Sequence, residues 1–333
     1  MRHMVYACIF NCDDQTFLKG TLYYFFVQIT NTLQQYYTIV QMMVEDPRVK
    51  VKTIAKRMGY VGRGRSHSTI TRHIQNMYKK TISMPPRLTL KPFKKWQNTA
   101  YFCKKKDKKR MYSTFQELYG NEKIGYVIFL SGCKYFIISK EKDLDLERYG
   151  LEVEEESLMY TPVYVMPEKW NNSMEGGLKK MARCEFERGL LERDVGENLG
   201  WDEIDWEIYY RFKGNVRTEY TGVAREIGVY PNTVKSRFLN RVIPSCVVAH
   251  YFFPKGYDHY EQAFLWIHSK YEKDFVKILE KFPCMTYVFP LEKGLIINLH
   301  HEKPGDLLPV VEKMEEKAFI DDYLLHIPIA YGI

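Results

Sequence analysis

The sequence predicts an α+β protein built from two tandem copies of one plan, a trio of short helices followed by a β-α-β-β-α-β layer, with the first copy degenerate. Three observations lead there. At 333 residues the chain exceeds what one hydrophobic core usually organises, at roughly 150 residues per domain. The stretch Tyr36 to Ala55 aligns without a gap on Asp205 to Ala224, and a repeat of that kind decides the fold. After each aligned stretch a proline opens strand material, at Met84-Pro85-Pro86 and at Pro244.

Residues 1–30 form an N-terminal extension with strands expected at Val5 to Phe10 and Leu22 to Ile29. The second of these is far shorter than the roughly 20 apolar residues of a spanning helix, so no membrane segment is expected. The first helical unit with its wing covers 31–95. Tyr36, Ile39, Val40 and Met43 repeat at helical spacing up to Asp46-Pro47. Val51-Lys-Thr-Ile-Ala55 to Gly59 and Ser68-Thr-Ile70 to Ile74 give the second and third helices. The segment 96–166 carries strand 96–103, helix Tyr112 to Tyr119, strands Gly125 to Leu130 and Lys134 to Ser139, an ill-defined second helix within 141–149, and a last strand at Leu158 to Val165. A linker and a helix over 178–194 fill 167–200.

The second copy is sharper. Residues 201–256 hold Ile204, Ile208, Tyr209 and Phe212 on the first helix, and Val223, Ala224 and Ile227 share one face of the second. Small Ala224 lets another helix cross closely, Gly228 suits a left-handed helix end, and Asn232 or Thr233 can cap the third helix. Residues 257–333 read as strand 260–267, helix 271–281, strands 284–290 and 294–300, helix 305–316 and strand 323–329, the order of a ferredoxin-like unit. The apolar strands Tyr126 to Phe129 and Ala263 to Trp266 suit mutual burial of the two layers as an intramolecular pseudo-dimer. A further homo-oligomer is compatible with this.

Charge is unevenly spread. The whole chain carries +8, but residues 44–110 hold 20 Lys/Arg against 3 Asp/Glu. Such clustering is an electrostatic footprint for a polyanion, or a solvated face. Helix, sharp turn, helix inside it is the unit that offers a helix to a DNA major groove. Ser68, Thr69, Thr71, Arg72 and Gln75 then border the groove in the first copy, and Asn232, Thr233, Lys235, Ser236 and Arg237 in the second, with Arg72 and Arg237 able to read a guanine edge. Lys56, Arg57, Arg63 and Arg65 are assigned to phosphates. Arg63 and Arg65 sit in the insertion Val61-Gly-Arg63-Gly-Arg65, equally readable as a phosphate-reaching arm or a surface loop. Seven cysteines without a Cys-x-x-Cys pair suit a reducing cytoplasm and indicate neither disulfides nor a metal site. Cys8 and Cys12 are read as buried free cysteines on an apolar segment in preference to a metal site shared with His3, and no cofactor is expected.

The second copy resembles the Lrp/AsnC (feast/famine) family of regulators. The resemblance rests on Asp202-Glu-Ile204-Asp205-Trp-Glu-Ile208, Val223-Ala-Arg-Glu-Ile-Gly228 and Pro231-Asn-Thr-Val234, followed by a wing and a ferredoxin-like unit. It implies a sequence-specific DNA-binding transcription regulator, not an enzyme. Its partners would be double-stranded DNA and a small effector such as an amino acid. The same architecture resembles sirohaem decarboxylases, which look like paired Lrp-type units and use histidine and arginine in a porphyrin pocket. His250, His259, His300 and His301 lie near the second layer and carry that alternative. A protein- or RNA-binding module is the third.

Overall fold

The computed structural model describes residues 31–60, 66–141 and 143–332. The expected N-terminal strands, Cys8, Cys12, His3, Arg63 and Arg65 lie outside the described residues. The first helical trio is α1 (31–45), α2 (Val51–Arg57) and α3 (Ser66–Lys79). Tyr36, Ile39, Val40 and Met43 of α1 lie on one stripe at i, i+3, i+4 and i+7 and bury against Ile54, Ala55, Ile70 and Met77. The wing strand β1 (Arg87–Leu90) follows.

The first layer is β2 (Thr99–Lys105), α4 (Met111–Tyr119), β3 (Ile124–Leu130), β4 (Lys134–Ser139) and β5 (Leu151–Leu158). Where a second helix belongs there is one 3-10 turn, Glu147–Tyr149. Leu144, Leu146 and Tyr149 cover the sheet instead. Degeneracy therefore means a helix replaced by a loop with three apolar anchors. Next come β6 (Val163–Val165) and α5 (Met174–Met181). Ser173 starts α5 by accepting from the Gly176 amide at 3.1 Å. The helix expected to run to 194 stops at Met181, and beyond it Phe186 drops among Tyr271, Phe275 and Phe319.

The second copy is α6 (Glu203–Lys213), α7 (Tyr220–Ile227), α8 (Pro231–Arg237), β7 (Cys246–Ala249), β8 (Glu261–His268), α9 (Glu272–Leu279), β9 (Thr286–Pro290), β10 (Leu295–His301), α10 (Leu308–Glu316), β11 (Asp322–His326) and β12 (Pro328–Gly332). Asp202 and Asp205 form a reciprocal capping box on α6. Gly228 closes α7 at φ +71, where a side chain would be strained. Pro231 is the first residue of α8 and Tyr230 its N-cap, so neither Asn232 nor Thr233 takes the capping position.

Two five-stranded sheets result, in the orders β11-β8-β10-β9-β6 and β12-β3-β4-β2-β5. Each contains four strands of its own half and one from the other. β6 leaves the first half to pair with β9, Val163 opposite Val288, and β12 leaves the second to pair with β3, Tyr331 opposite Ile128. The reading of the sequence placed Val163–Val165 in the last strand of the first unit, at 158–165, and ended the second unit at 329; it missed the exchange because pairing between distant segments leaves no local pattern.

The outer face of the second sheet, with Leu265, Ile267, Leu295, Ile297 and Leu299, is covered by α5, α9 and α10. Its inner face meets the first sheet through Phe102, Phe136, Phe264 and Trp266. The Phe102 ring lies 4.5 Å from that of Trp266, and Phe136 lies 4.7 Å from Phe264. Strands buried on both faces read as continuous apolar runs rather than alternating ones, as β8 does.

The helical units are joined separately. β1 pairs antiparallel with β7, Leu88 opposite Val248. Arg48 donates to the carbonyls of Val216 and Thr218, the latter at 3.0 Å. Arg217, its partner in the internal alignment, donates to those of Pro47 at 3.0 Å and Val49 at 2.8 Å. Each arginine caps the other unit's turn between its first two helices.

Candidate functional site between the sheets

The described residues assigned to DNA lie on three helices, α2, α3 and α8, and differ in exposure and pairing. Lys56 and Arg57 close α2, where Arg57 pairs with Glu45 at 2.7 Å. On α3, Ser68, Arg72 and Gln75 are exposed, while Thr69 and Thr71 are half-buried. Thr71 turns its hydroxyl back onto the His67 carbonyl at 3.0 Å. On α8, Asn232, Lys235 and Ser236 are exposed and Thr233 half-buried. Arg237 is half-buried and tied back to the start of α6. Its Nη1 contacts both oxygens of Asp202 at 2.6 Å and Asp205 at 3.1 Å. That bond holds the Asp202 carboxyl down to about 2, and Arg241 meets the fully buried Asp205 at 2.8 Å. Arg237 therefore seals the start of α6. Beside it runs a groove of about 380 Å³ lined by Glu203, Ile204, Glu207, Glu226 and Ile227, whose charge repels phosphate.

The buried polar chemistry lies on the inner face of the second sheet. Pairing across β8, β10 and β9 puts Gln262 opposite His300, Phe264 opposite Asn298, and Asn298 opposite Tyr287. All these side chains share one face. His300 is 1% exposed and sits among the rings of Phe253, Tyr257 and Tyr287, with centroids at 4.8, 5.7 and 5.9 Å. Its Nδ1 lies 3.2 Å from the Met285 carbonyl. A carbonyl can only accept, so Nδ1 carries the proton and Nε2 is left with a lone pair. Nε2 has no partner. Burial lowers the imidazole to about 4, which keeps it neutral.

Two more acceptors stand beside it. Asn298 Oδ1 and Gln262 Oε1 are buried without partners, and the Gln262 amide nitrogen is already committed to the Tyr257 hydroxyl. Three acceptors on one sheet face, each without a partner, suit a ligand bearing hydrogen-bond donors or a metal centre. Farther along the same face, Trp266 Nε1 and His326 Nε2 are also unpartnered. Between these polar margins the layer is filled by Phe102, Phe136, Phe264 and Trp266.

Of the other histidines singled out in the sequence, His301 takes the opposite face of β10 and His259 is exposed. His250 is 6% exposed, and burial lowers it to about 4. Gln262, Asn298 and Tyr257 were missed. Only Asn298 carries a signal in the sequence, a polar residue between apolar strand neighbours Ile297 and Leu299; Gln262 follows Glu261 at a strand start and Tyr257 lies in a turn.

No family model matches the chain, and no curated protein sequence matches it. Solved structures do. The crystal structure of the sirohaem decarboxylase NirDL is similar at a TM-score of 0.53 and 9% identity, covering 89% of this chain and 91% of that one. The same enzyme in complex with an iron-uroporphyrin III analogue gives 0.52 and 9%, covering 89% and 92%. The fold of this chain is therefore the paired helical and ferredoxin-like architecture seen in NirDL, not one specific to Lrp/AsnC regulators. The expectation of a DNA-binding transcription regulator without enzymatic activity, partnered by duplex DNA and a small effector such as an amino acid, is corrected by this finding: the similar solved structures are of a sirohaem decarboxylase, not of a DNA-binding regulator. Among the described residues no helix is long and apolar enough to cross a membrane.

Proposed function

We propose that the chain is an enzyme of the sirohaem decarboxylase type, binding an iron tetrapyrrole at the His300 margin of the inner sheet face. The observation that carries the reading is the His300 imidazole, fixed by a backbone carbonyl and aiming a free Nε2 into an aromatic site. That is the arrangement in which an imidazole serves an iron centre. NirDL, which shares the fold over nearly the full length, is solved with an iron-uroporphyrin III analogue.

The filled centre of the inner layer leaves the macrocycle the margin beneath residues 254–259. Removal of a carboxyl group as CO2 leaves an electron pair on carbon that must take up a proton. His300, neutral and with its one proton committed to Met285, does not supply it. Tyr287, whose hydroxyl is pushed well above its ordinary value by burial, is protonated at neutral pH and adjoins the imidazole. The dry aromatic wall favours neutral CO2 over the carboxylate it came from. The excess of lysine and arginine over 44–110 draws in a substrate rich in carboxylates. The cytoplasm suits the reading, since the five described cysteines are free thiols.

The test is a titration with iron uroporphyrin III followed in the Soret band, with anaerobic incubation with sirohaem and mass analysis of the product. Wild type should shift the band and release CO2, and His300→Ala should do neither. A wild-type protein that leaves spectrum and substrate unchanged overturns the reading.

A further inference from the structure

We propose that residues 254–259 form a gate over His300, plugged by Tyr257 and held shut by the first helical unit. The inference rests on the reading of His300 as the ligand-facing group. It follows from one hydrogen-bonded path. After α3 the chain turns at Thr81 in the left-handed region, φ 51. The Thr81 carbonyl accepts the Tyr257 amide at 3.0 Å, and its hydroxyl lies 3.1 Å from the same nitrogen. The Ile82 carbonyl accepts the Phe253 amide at 2.8 Å. On the other side the Phe252 carbonyl accepts the Met285 amide at 3.2 Å, and the Met285 carbonyl accepts His300 Nδ1. The end of the first helical unit is thus wired to the imidazole that the second sheet presents.

The two ends of the segment differ in strength. Phe253 is fully buried and acts as a fixed hinge, whereas Tyr257 is only half-buried. The plug is held by its amide at Thr81, by its hydroxyl at Gln262 and by its ring over His300. The Lys255 to Glu302 ion pair at 2.9 Å is largely exposed and adds little. Segments with few buried anchors open below the free energy of global unfolding. Swinging Tyr257 out uncovers His300 and returns both Gln262 polar groups to the ligand. Gly256 allows the shut state. Its φ is +89, and a Cβ there would fall 2.8 Å from the Lys80 carbonyl and 3.1 Å from the Thr81 hydroxyl.

The experiment is Gly256→Ala probed with diethyl pyrocarbonate, which acylates accessible neutral imidazoles, with each histidine read by peptide mass analysis. In wild type, exposed His259 should react fast and His300 hardly at all. In the variant the rate at His300 should rise about tenfold or more, the change that a released backbone contact of this kind gives, while His301 on the opposite face stays protected. Gly228→Ala, strained at φ +71 but with open space around it, should leave His300 protected. If His300 and His301 react together, Gly256→Ala has unfolded and Thr81→Gly decides: it suits the positive φ and removes only the hydroxyl anchor, so a selective rise of a few-fold at His300 supports the gate. An unreactive His300 in Gly256→Ala, or in Thr81→Gly where the first variant unfolds, overturns it. Association of iron uroporphyrin III should also quicken in Gly256→Ala. If wild type takes up none while His300 still becomes reactive, the tetrapyrrole reading fails and the gate stands.

Discussion

The central strand pairs of the two sheets, β2 with β4 and β8 with β10, run in matching antiparallel register and differ where it matters. In the first, Ala100 stands opposite Ile138 and Phe102 opposite Phe136; in the second, the corresponding pairs are Gln262 with His300 and Phe264 with Asn298. One half thus fills with Ala, Ile and Phe the three places that the other fills with Gln, His and Asn. The first sheet shows that the fold is satisfied by apolar side chains there. Polar groups kept at those positions without internal partners carry the cost of desolvation, so they point to a ligand rather than to stability.

Acid gives the largest test of that asymmetry. His300 and His250 both belong to the second half, and burial lowers each to about 4, against about 6.5 in an unfolded chain. The folded state favours the neutral form, so their contribution is fully present above pH 6.5. It is lost progressively as pH falls from there towards 4, where only the unfolded chain has gained the protons. Each imidazole is worth roughly 3 kcal/mol by this linkage. Denaturant unfolding at pH 7 and pH 4.5 should differ by several kcal/mol, and amide exchange at the lower pH should loosen β9 and β10 before β3 and β4. Uniform loosening of both sheets would break the comparison.

What the sequence disclosed follows from where information is local. The helix of Tyr36 to Met43, the stop at Gly228 and the order of strands in the second copy are written in spacing within a few residues, and they fold as read. The exchange of β6 and β12, the reciprocal arginines and the polar trio are set by register between distant segments, which one chain without a partner sequence does not display. The basic residues drew the reading of the sequence, and the polar trio did not, for a physical reason. Basic residues are conspicuous by count, but Arg237 is spent on Asp202 and Asp205, whereas Asn298 is a single polar letter inside an apolar strand and Gln262 hides beside Glu261 at a strand start. His300 was noted in the sequence, but nothing there separates it from His301, which faces the other way.

Where the halves are alike, removing the likeness should cost more than a surface change. Arg217 donates to two carbonyls of the first unit, and Arg48 to two of the second while its guanidinium lies 3.9 Å from the Tyr220 ring centroid. A charged hydrogen bond contributes about 1.5–3 kcal/mol, so Arg217→Ala should destabilise by about 2–4 kcal/mol and Arg48→Ala by a similar amount. The double variant should lose less than the sum, because either loss already opens the shared contact. Arg217→Lys should recover little, since an ammonium cannot span two carbonyls as the planar fork does. Urea unfolding of the four proteins checks this, and additive small losses would show that β1 and β7 alone hold the units together.

The smallest effect on stability is also the most informative. Writing the first sheet's residues into the second, as Gln262→Ala and His300→Ile, removes two orphaned polar groups and supplies apolar contacts that the opposite sheet tolerates in the same register. If the trio existed for packing, these changes would leave cavities and cost about 2–5 kcal/mol, as large-to-small core changes do. If the trio exists for a ligand, His300→Ile should be close to neutral at pH 7, within about 1 kcal/mol, because losing the bond to the Met285 carbonyl is offset by relieving the orphaned Nε2 and adding apolar contact. Gln262→Ala is smaller than what it replaces and also strips a partner from Tyr257, so its stability should fall slightly while its binding falls with that of His300→Ile. Thermal melts and the Soret titration on the same samples separate the two accounts. A His300→Ile variant that melts several degrees lower and still binds iron uroporphyrin III would place the polar trio in the scaffold, and the contrast between the sheets would then be one of packing alone.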